Sequence, residues 1–466
     1  MTGSLAGLLL ANALYLVIGV ALLPLLRIAR TRTQLYARLG LAYVLGLATT
    51  SALAAHLALI GVPVGLGELA VLAIAAAILG RRRWRALPAG SRGTKVAESR
   101  VSFGGGVAAF VAALVLLAHA LRTFAVRPLV EWDGWAIWGM KARALYDFGG
   151  VGHGVFTSPQ YGPLQHPLLL PALEATGFRA MGAFDATLIH VQLALLAVAF
   201  AAGLWTLLRE RVPAALAGAA ILAIVAADAT LKQLAGNLAD IPLAFFVALG
   251  VVAIARSLID DSADLLPFAA VMLGAATLTK PEGLLFAAAA LVPFALIART
   301  RASLYTALAV VLILLPWRLY VAIHGLKNPE YSLGDAINPS YLSHNSGRAR
   351  PAFWGVWHQV WSSGWGWLIP LAVVAFAAAL LARRWRVAGF ALAWTALSDA
   401  GIVLVFWISV VPIELTLRWA AYRTVASLVI GAAALAPLLA AEAWSVRQSL
   451  ERGEGRLVLP ARVDEA

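Results

Sequence analysis

Apolar runs of bilayer length recur from one end of this 466-residue chain to the other, separated by short polar or basic gaps. A hydrocarbon core of ~30 Å is crossed by a helix of about 20 mostly apolar residues. The pattern predicts helical spans near 4–26, 39–60, 61–80, 103–121, 186–208, 213–228, 239–256, 265–279, 283–298, 303–322, 360–382, 388–410 and 424–445. That is about thirteen spans, within a range of about eleven to fourteen. Two places break the rhythm. The connection 122–185 is far longer than a simple link, so it is expected to be functional and partly helical. The second is Thr279-Lys280-Pro281-Glu282-Gly283, inside an apolar stretch too long for one span. Pro and Gly there favour two short helices meeting at Lys280.

Composition changes little in this picture but fixes the class. At 62% hydrophobic and 13% charged residues, the chain cannot cover a soluble globule with polar groups. It is an all-α polytopic membrane protein. The chain contains no cysteine, which removes disulfides and thiol chemistry from consideration. The first 26 residues lack a basic leader and a small-residue cleavage site, and read as a retained span.

The net charge of +13 does not point to nucleic acid, because the excess sits in alternate gaps between apolar runs. Those gaps hold Arg27, Arg30, Arg32 and Arg38, then Arg81, Arg82, Arg83, Arg85, Arg92, Lys95 and Arg100. They continue with Arg209, Arg211, Arg256, Arg299, Arg301, Arg383, Arg384 and Arg386, and with Arg447, Arg452, Arg456 and Arg462 in the tail. The positive-inside rule then puts the N-terminus outside, the C-terminus in the cytoplasm and Asp133 outside. Residues 1–100 read as a three-span extension ending in a basic cytoplasmic linker, 101–445 as the core and 446–466 as a cytoplasmic tail. Within the long connection, 136–148 fits an amphipathic helix with Ile137, Met140, Ala144 and Phe148 on one face, expected to lie along the headgroups.

The candidate chemistry collects on the predicted outer side. The long connection supplies Glu131, Asp133, Lys141, Arg143 and His166, with Trp132, Trp135 and Trp138 around the acid. Asn237-Leu238-Ala239-Asp240-Ile241-Pro242 places a carboxylate at a span's outer end, and the broken helix supplies Lys280 and Glu282. Glu414, Arg418 and Arg423 precede the last span. Each has a plainer reading. The tryptophans suit an interfacial belt, Asp240 a helix cap, Lys280 and Glu282 an internal ion pair, and the two arginines a snorkelling role. Charges at several helix ends on one side nevertheless point to a shared cavity.

These motifs resemble the GT-C superfamily of integral-membrane glycosyltransferases, in particular bacterial relatives of protein O-mannosyltransferases and aminoarabinose transferases. The resemblance rests on Trp132-Asp133-Gly134-Trp135-Ala136-Ile137-Trp138, Gln165-His166-Pro167-Leu168-Leu169-Leu170-Pro171, the Asn237–Pro242 motif and Thr279–Gly283, and covers about residues 101–445. It implies a GT-C-type fold, a polyprenyl-phosphate sugar donor, a glycan, lipid or protein acceptor, and Asp133 as the acid near the acceptor. Many relatives carry two adjacent acids there, whereas Gly134 follows Asp133; where relatives often have Lys-Pro-Pro, this chain has Gln165-His166-Pro167.

The residue types suit that chemistry. A carboxylate can take the proton of an attacking hydroxyl, and as sole base would give inversion. The departing lipid phosphate needs positive charge, which Lys280, Arg418 or Arg423 can supply, with Glu131, Lys141, His166, Asp240 and Glu282 as further substrate-binding candidates. No cluster has the spacing of a dedicated metal site, no cofactor is called, and dependence on a divalent cation stays open. The expected setting is a bacterial cytoplasmic membrane with the active face outward. A transporter or flippase of lipid-linked sugars is the competing reading, and it predicts polarity on both sides and internal repeats.

Overall fold

A computed structural model describes residues 3–90, 98–124, 129, 131–158, 160, 163–332 and 334–451. Arg92, Lys95, Tyr161, Gly162, Arg452, Arg456 and Arg462 lie outside the described residues, as do the side chains of the tail from position 446. Among the described residues there is no strand.

The helices run in chain order as α1 (Leu5–Leu25), α2 (Arg32–Ala37), α3 (Ala42–Leu59), α4 (Leu66–Arg85) and α5 (Arg100–Phe124). The long connection contributes α6 (Met140–Phe148) and α7 (Leu169–Met181). Then come α8 (Ile189–Arg209), α9 (Ala214–Ala226), α10 (Asp228–Ala235), α11 (Asp240–Asp260), α12 (Leu266–Thr279), α13 (Glu282–Ala298) and α14 (Arg301–Ile323). The last third holds α15 (Pro339–His344), α16 (Ala349–Val360), α17 (Leu368–Leu381), α18 (Trp385–Ile408), α19 (Ile413–Thr416), α20 (Tyr422–Thr424) and α21 (Ala426–Glu451). Every apolar run that predicts a span contains a helix, but fewer have full crossing length. Among the described residues, eight helical stretches are long and apolar enough to cross a bilayer, or up to ten if two bent pairs each count as one. The chain is an integral, multi-spanning helical membrane protein.

Ion pairs define one end of the bundle. Arg38 reaches Glu210 at 3.6 Å and Asp264 at 3.8 Å, and Arg30 meets Asp264 at 2.7 Å. Arg256 bonds Glu210 and Asp260, Arg211 bonds Asp260, and Arg209 bonds Glu98. The loops after α1, α8 and α11 and the start of α5 therefore meet at a single arginine-rich end. Chain direction then brings the start of α11, the α12–α13 junction and the start of α21 to the opposite end, where Asp133 also lies.

That junction follows from two residues. A residue before proline is pushed out of the helical region, and Lys280 is extended at φ −153° and ψ 153°. Proline tolerates the first turn of a helix, so Pro281 opens α13 and Glu282 places negative charge at its N-terminus. At 14 and 17 residues, α12 and α13 measure roughly 21 and 26 Å at ~1.5 Å per residue. Each is short of a full crossing.

The first three spans contact core helices directly. α1 and α3 pack on α7, and α3 also packs on α8 and α12. Asn12 Nδ2 donates to Gln192 Oε1 at 2.9 Å, and the Tyr43 hydroxyl donates to Asn12 Oδ1. This buried polar contact ties α1 and α3 to the core helix α8.

The expectation for 136–148 also changes. Residues Gly134–Gly139 form a π-helical turn before α6. Ile137, Trp138, Lys141, Ala142, Ala144 and Leu145 are buried, whereas Phe148 is exposed. The inward face is therefore rotated relative to the predicted one, and α6 is docked on α7.

Candidate functional site

Two irregular turns hold the central pair of the site. Asp133 immediately precedes the π-helical turn Gly134–Gly139, and Arg423 follows a second π-helical turn, Leu417–Ala421. π-turns are rare and concentrate at functional positions, because the extra residue re-aims the side chains beside it. Here Arg423 Nη1 donates to Asp133 Oδ2, joining residues 290 positions apart in the chain. Arg423 also donates from Nε to Trp419 O at 3.2 Å.

The turn after Asp133 is fixed from below. Asn237 adopts a left-handed conformation (φ 53°), which its short polar side chain tolerates, and its Nδ2 donates to Gly134 O at 3.3 Å. A Cβ on Gly134 would fall 2.2 Å from Gly236 O, so only glycine allows this approach. Position 134 is here a close backbone contact.

A buried triad lies alongside. Lys280 Nζ donates to Asp240 Oδ1 at 2.7 Å and lies 3.5 Å from Glu282 Oε1. Glu282 Oε2 is buried with no hydrogen-bond partner among the described residues. The two groups share one field, since Arg423 is stabilised electrostatically by Asp240 as well as by Asp133. Glu330, in the connection after α14, completes this field. Loss of water and the charge of Glu282 push its carboxyl up, while Lys280 and Arg423 pull it down. Tyr331 is likewise pushed up by burial, Glu282 and Glu330.

Other candidates take different places. The His166 ring packs tilted against buried Trp138, centroids 5.2 Å apart, and burial, then Lys141, Lys280 and Arg423, hold its imidazole well below the ordinary range. It is therefore a neutral ring at the edge of the positive group. Lys141 is fully buried, and its ammonium donates to Pro163 O at 2.8 Å and His166 O at 3.3 Å. It positions the Gln165-His166-Pro167 segment instead of facing an open cavity. Glu131 is exposed beside Gly236. Arg418 is exposed and joins no ion pair among the described residues, so the structure separates it from Arg423. Trp132 and Trp135 are exposed in an edge-on pair, while Trp138 belongs to the core.

Residues 165–320 match the model of a family described as dolichyl-phosphate-mannose-protein mannosyltransferase. The chain carries a GT-C-type, mannosyltransferase-like domain. Comparison with the curated proteins and with the solved structures gives no match. The matched segment includes His166, Asp240, Lys280 and Glu282, and stops short of Asp133 and Arg423 on both sides. The glycosyltransferase assignment therefore comes from the buried triad's part of the chain, and the Asp133–Arg423 pair is joined to it by geometry.

Sequence reasoning passed over Glu330 and Glu174. Glu174, on α7, is 1% exposed, sits beside the Asn237 amide without a well-formed hydrogen bond, and is pushed up to about 8 by burial. An acid at the centre of a largely apolar helix was the available signal for Glu174. Glu330 offered none, because nothing in the local sequence shows that its loop folds back over Glu282.

The buried lysine gives a testable pH dependence. Burial lowers the Lys141 ammonium from 10.5 to about 7. Between those values the unfolded chain binds more protons than the folded one, so stability rises with pH across that window. Melting curves of the purified protein from pH 7 upward are expected to show the rise, and Lys141→Met is expected to flatten it. An equal slope in both proteins would mean that this amine does not titrate there.

Proposed function

We propose that the protein transfers a sugar from a polyprenyl-phosphate donor to an acceptor hydroxyl, at the membrane surface facing away from the cytoplasm. The observation that carries this reading is the Asp133–Arg423 ion pair set beside the Asp240–Lys280–Glu282 triad. A carboxylate and two cations from separate elements supply a base and a phosphate clamp in one place. The arginine-rich opposite end supports the outward orientation, by the positive-inside rule.

In this reading the donor phosphate engages Arg423 and Lys280. Arg423 is the better exchange partner, because its pair with Asp133 is partly exposed whereas Lys280 is held by two carboxylates. Drawing Arg423 toward phosphate leaves Asp133 free to accept a proton. The acceptor oxygen then attacks the anomeric carbon as its proton passes to Asp133. The bond from that carbon to the phosphate oxygen breaks, and the polyprenyl phosphate leaves with the electron pair, its charge met by the cations. One displacement without a covalent sugar–enzyme intermediate inverts the anomeric centre. His166 borders the charged group as a neutral ring, and Glu131 is exposed beside Gly236.

The test is direct. Purified protein in liposomes, given radiolabelled polyprenyl-phosphate hexoses and pentoses, is expected to move label from the lipid to an acceptor fraction. Label that crosses the bilayer still attached to its lipid, with no new covalent product, would replace this reading by that of a flippase.

A further inference from the structure

The connection between α14 and α17 contains a helix that the transfer reaction does not use. The segment Ser346–Trp365, with α16 at its centre, meets α17 at an angle of 108°. α17 packs along α21, part of a full-length apolar span, so it runs across the bundle. A helix at a near right angle to it lies close to the plane of the membrane, and α17 begins at the site end.

The faces of α16 divide cleanly. Ala352, Val356 and Val360 are buried against the protein. Phe353, Trp357 and Trp361, spaced by four residues, form a second stripe and are each 42–46% exposed. Their rings run in contact, with centroids 6.3 Å apart for Phe353–Trp357 and 5.5 Å for Trp357–Trp361. Trp354 extends the same surface at 55% exposure, and His358, about 100° further round the helix than Trp357, is exposed at the edge of that surface. A continuous ridge of large aromatic rings is costly to leave in water, yet indole N–H groups favour a wet, polar edge. The headgroup region of a bilayer satisfies both demands, and aromatic residues concentrate there.

We propose that α16 is an interfacial helix lying in the bilayer surface at the site end, with the Phe353, Trp357 and Trp361 ridge seated among the lipid headgroups. Its protein-facing side rests on the turn that leads to Arg423. A Cβ on Gly355 would fall 2.6 Å from Leu417, the first residue of the π-helical turn Leu417–Ala421. The bilayer surface, α16 and the Asp133–Arg423 pair are thereby held at one height. This inference does not depend on sugar transfer.

The cysteine-free chain permits a clean test. Phe353→Cys, Trp357→Cys, Trp361→Cys and His358→Cys variants of the full chain are spin-labelled and placed in phosphatidylethanolamine–phosphatidylglycerol vesicles. Relaxation by oxygen, which enters lipid, is compared with relaxation by a water-soluble nickel chelate. The expected oxygen-to-nickel ratio is severalfold higher at 353, 357 and 361 than at 358. Phe353→Cys removes the smallest ring, and keeps the comparison valid if either tryptophan variant fails to fold. Equal nickel access at all four positions would overturn the proposal by placing the ridge in water. Protection of the ridge from both reagents would overturn it too, by showing that a second copy of the chain covers it.

Discussion

Asp133→Asn is expected to lower the rate of sugar transfer by about 10³-fold, within the usual range for removal of a general base. The amide keeps the shape of the side chain and still accepts a hydrogen bond from Arg423, but it cannot take the acceptor's proton. The loss should therefore appear in kcat, with the donor KM nearly unchanged. Arg423→Gln should behave differently. It removes a cation that meets the donor phosphate in the ground state as well as in the transition state, so KM should rise along with a fall in kcat. The two profiles separate a base from a phosphate clamp even though the residues touch. Asp133→Asn with wild-type turnover would remove the carboxylate from the reaction and leave only a structural partner for Arg423. A change confined to KM would assign Asp133 to substrate positioning.

Several features of this arrangement are legible in the sequence. The helical runs were visible because apolar periodicity dominates a chain whose lipid-facing helices cannot hide polar groups. The junction at Lys280 was visible because Lys-Pro dictates an extended residue followed by a helix start, and the structure has both. Other features depend on long-range packing that local sequence does not encode. The rotation of the inward face of α6 follows from the π-helical turn before it, which shifts the phase of every later side chain. Lys141 resembles a substrate-facing cation in sequence, yet the fold turns it inward to the carbonyls of Pro163 and His166. Arg418 and Arg423 look alike in sequence, as two cations five residues apart before the last span. The π-helical turn at Leu417–Ala421 separates them, and only Arg423 faces Asp133.

Lys280→Met should have the largest effect on the folded state. Lys280 and Asp240 are both buried, and their side chains meet at 2.7 Å. Methionine fills a similar volume but leaves Asp240 and Glu282 without their cation. Removing one partner of a buried pair typically costs 3–5 kcal/mol, because the remaining charge stays uncompensated. Adding Asp240→Asn should restore much of that stability, since it removes the stranded charge. It should not restore transfer. Losing a cation that meets the leaving phosphate is expected to slow the reaction by about 10²–10³-fold, comparable to the loss of one oxyanion donor. The pair of measurements therefore splits the two roles of Lys280. If the double variant regains both stability and activity, the triad only supports the helix junction and the phosphate must be held elsewhere. If it regains stability alone, Lys280 acts on the substrate.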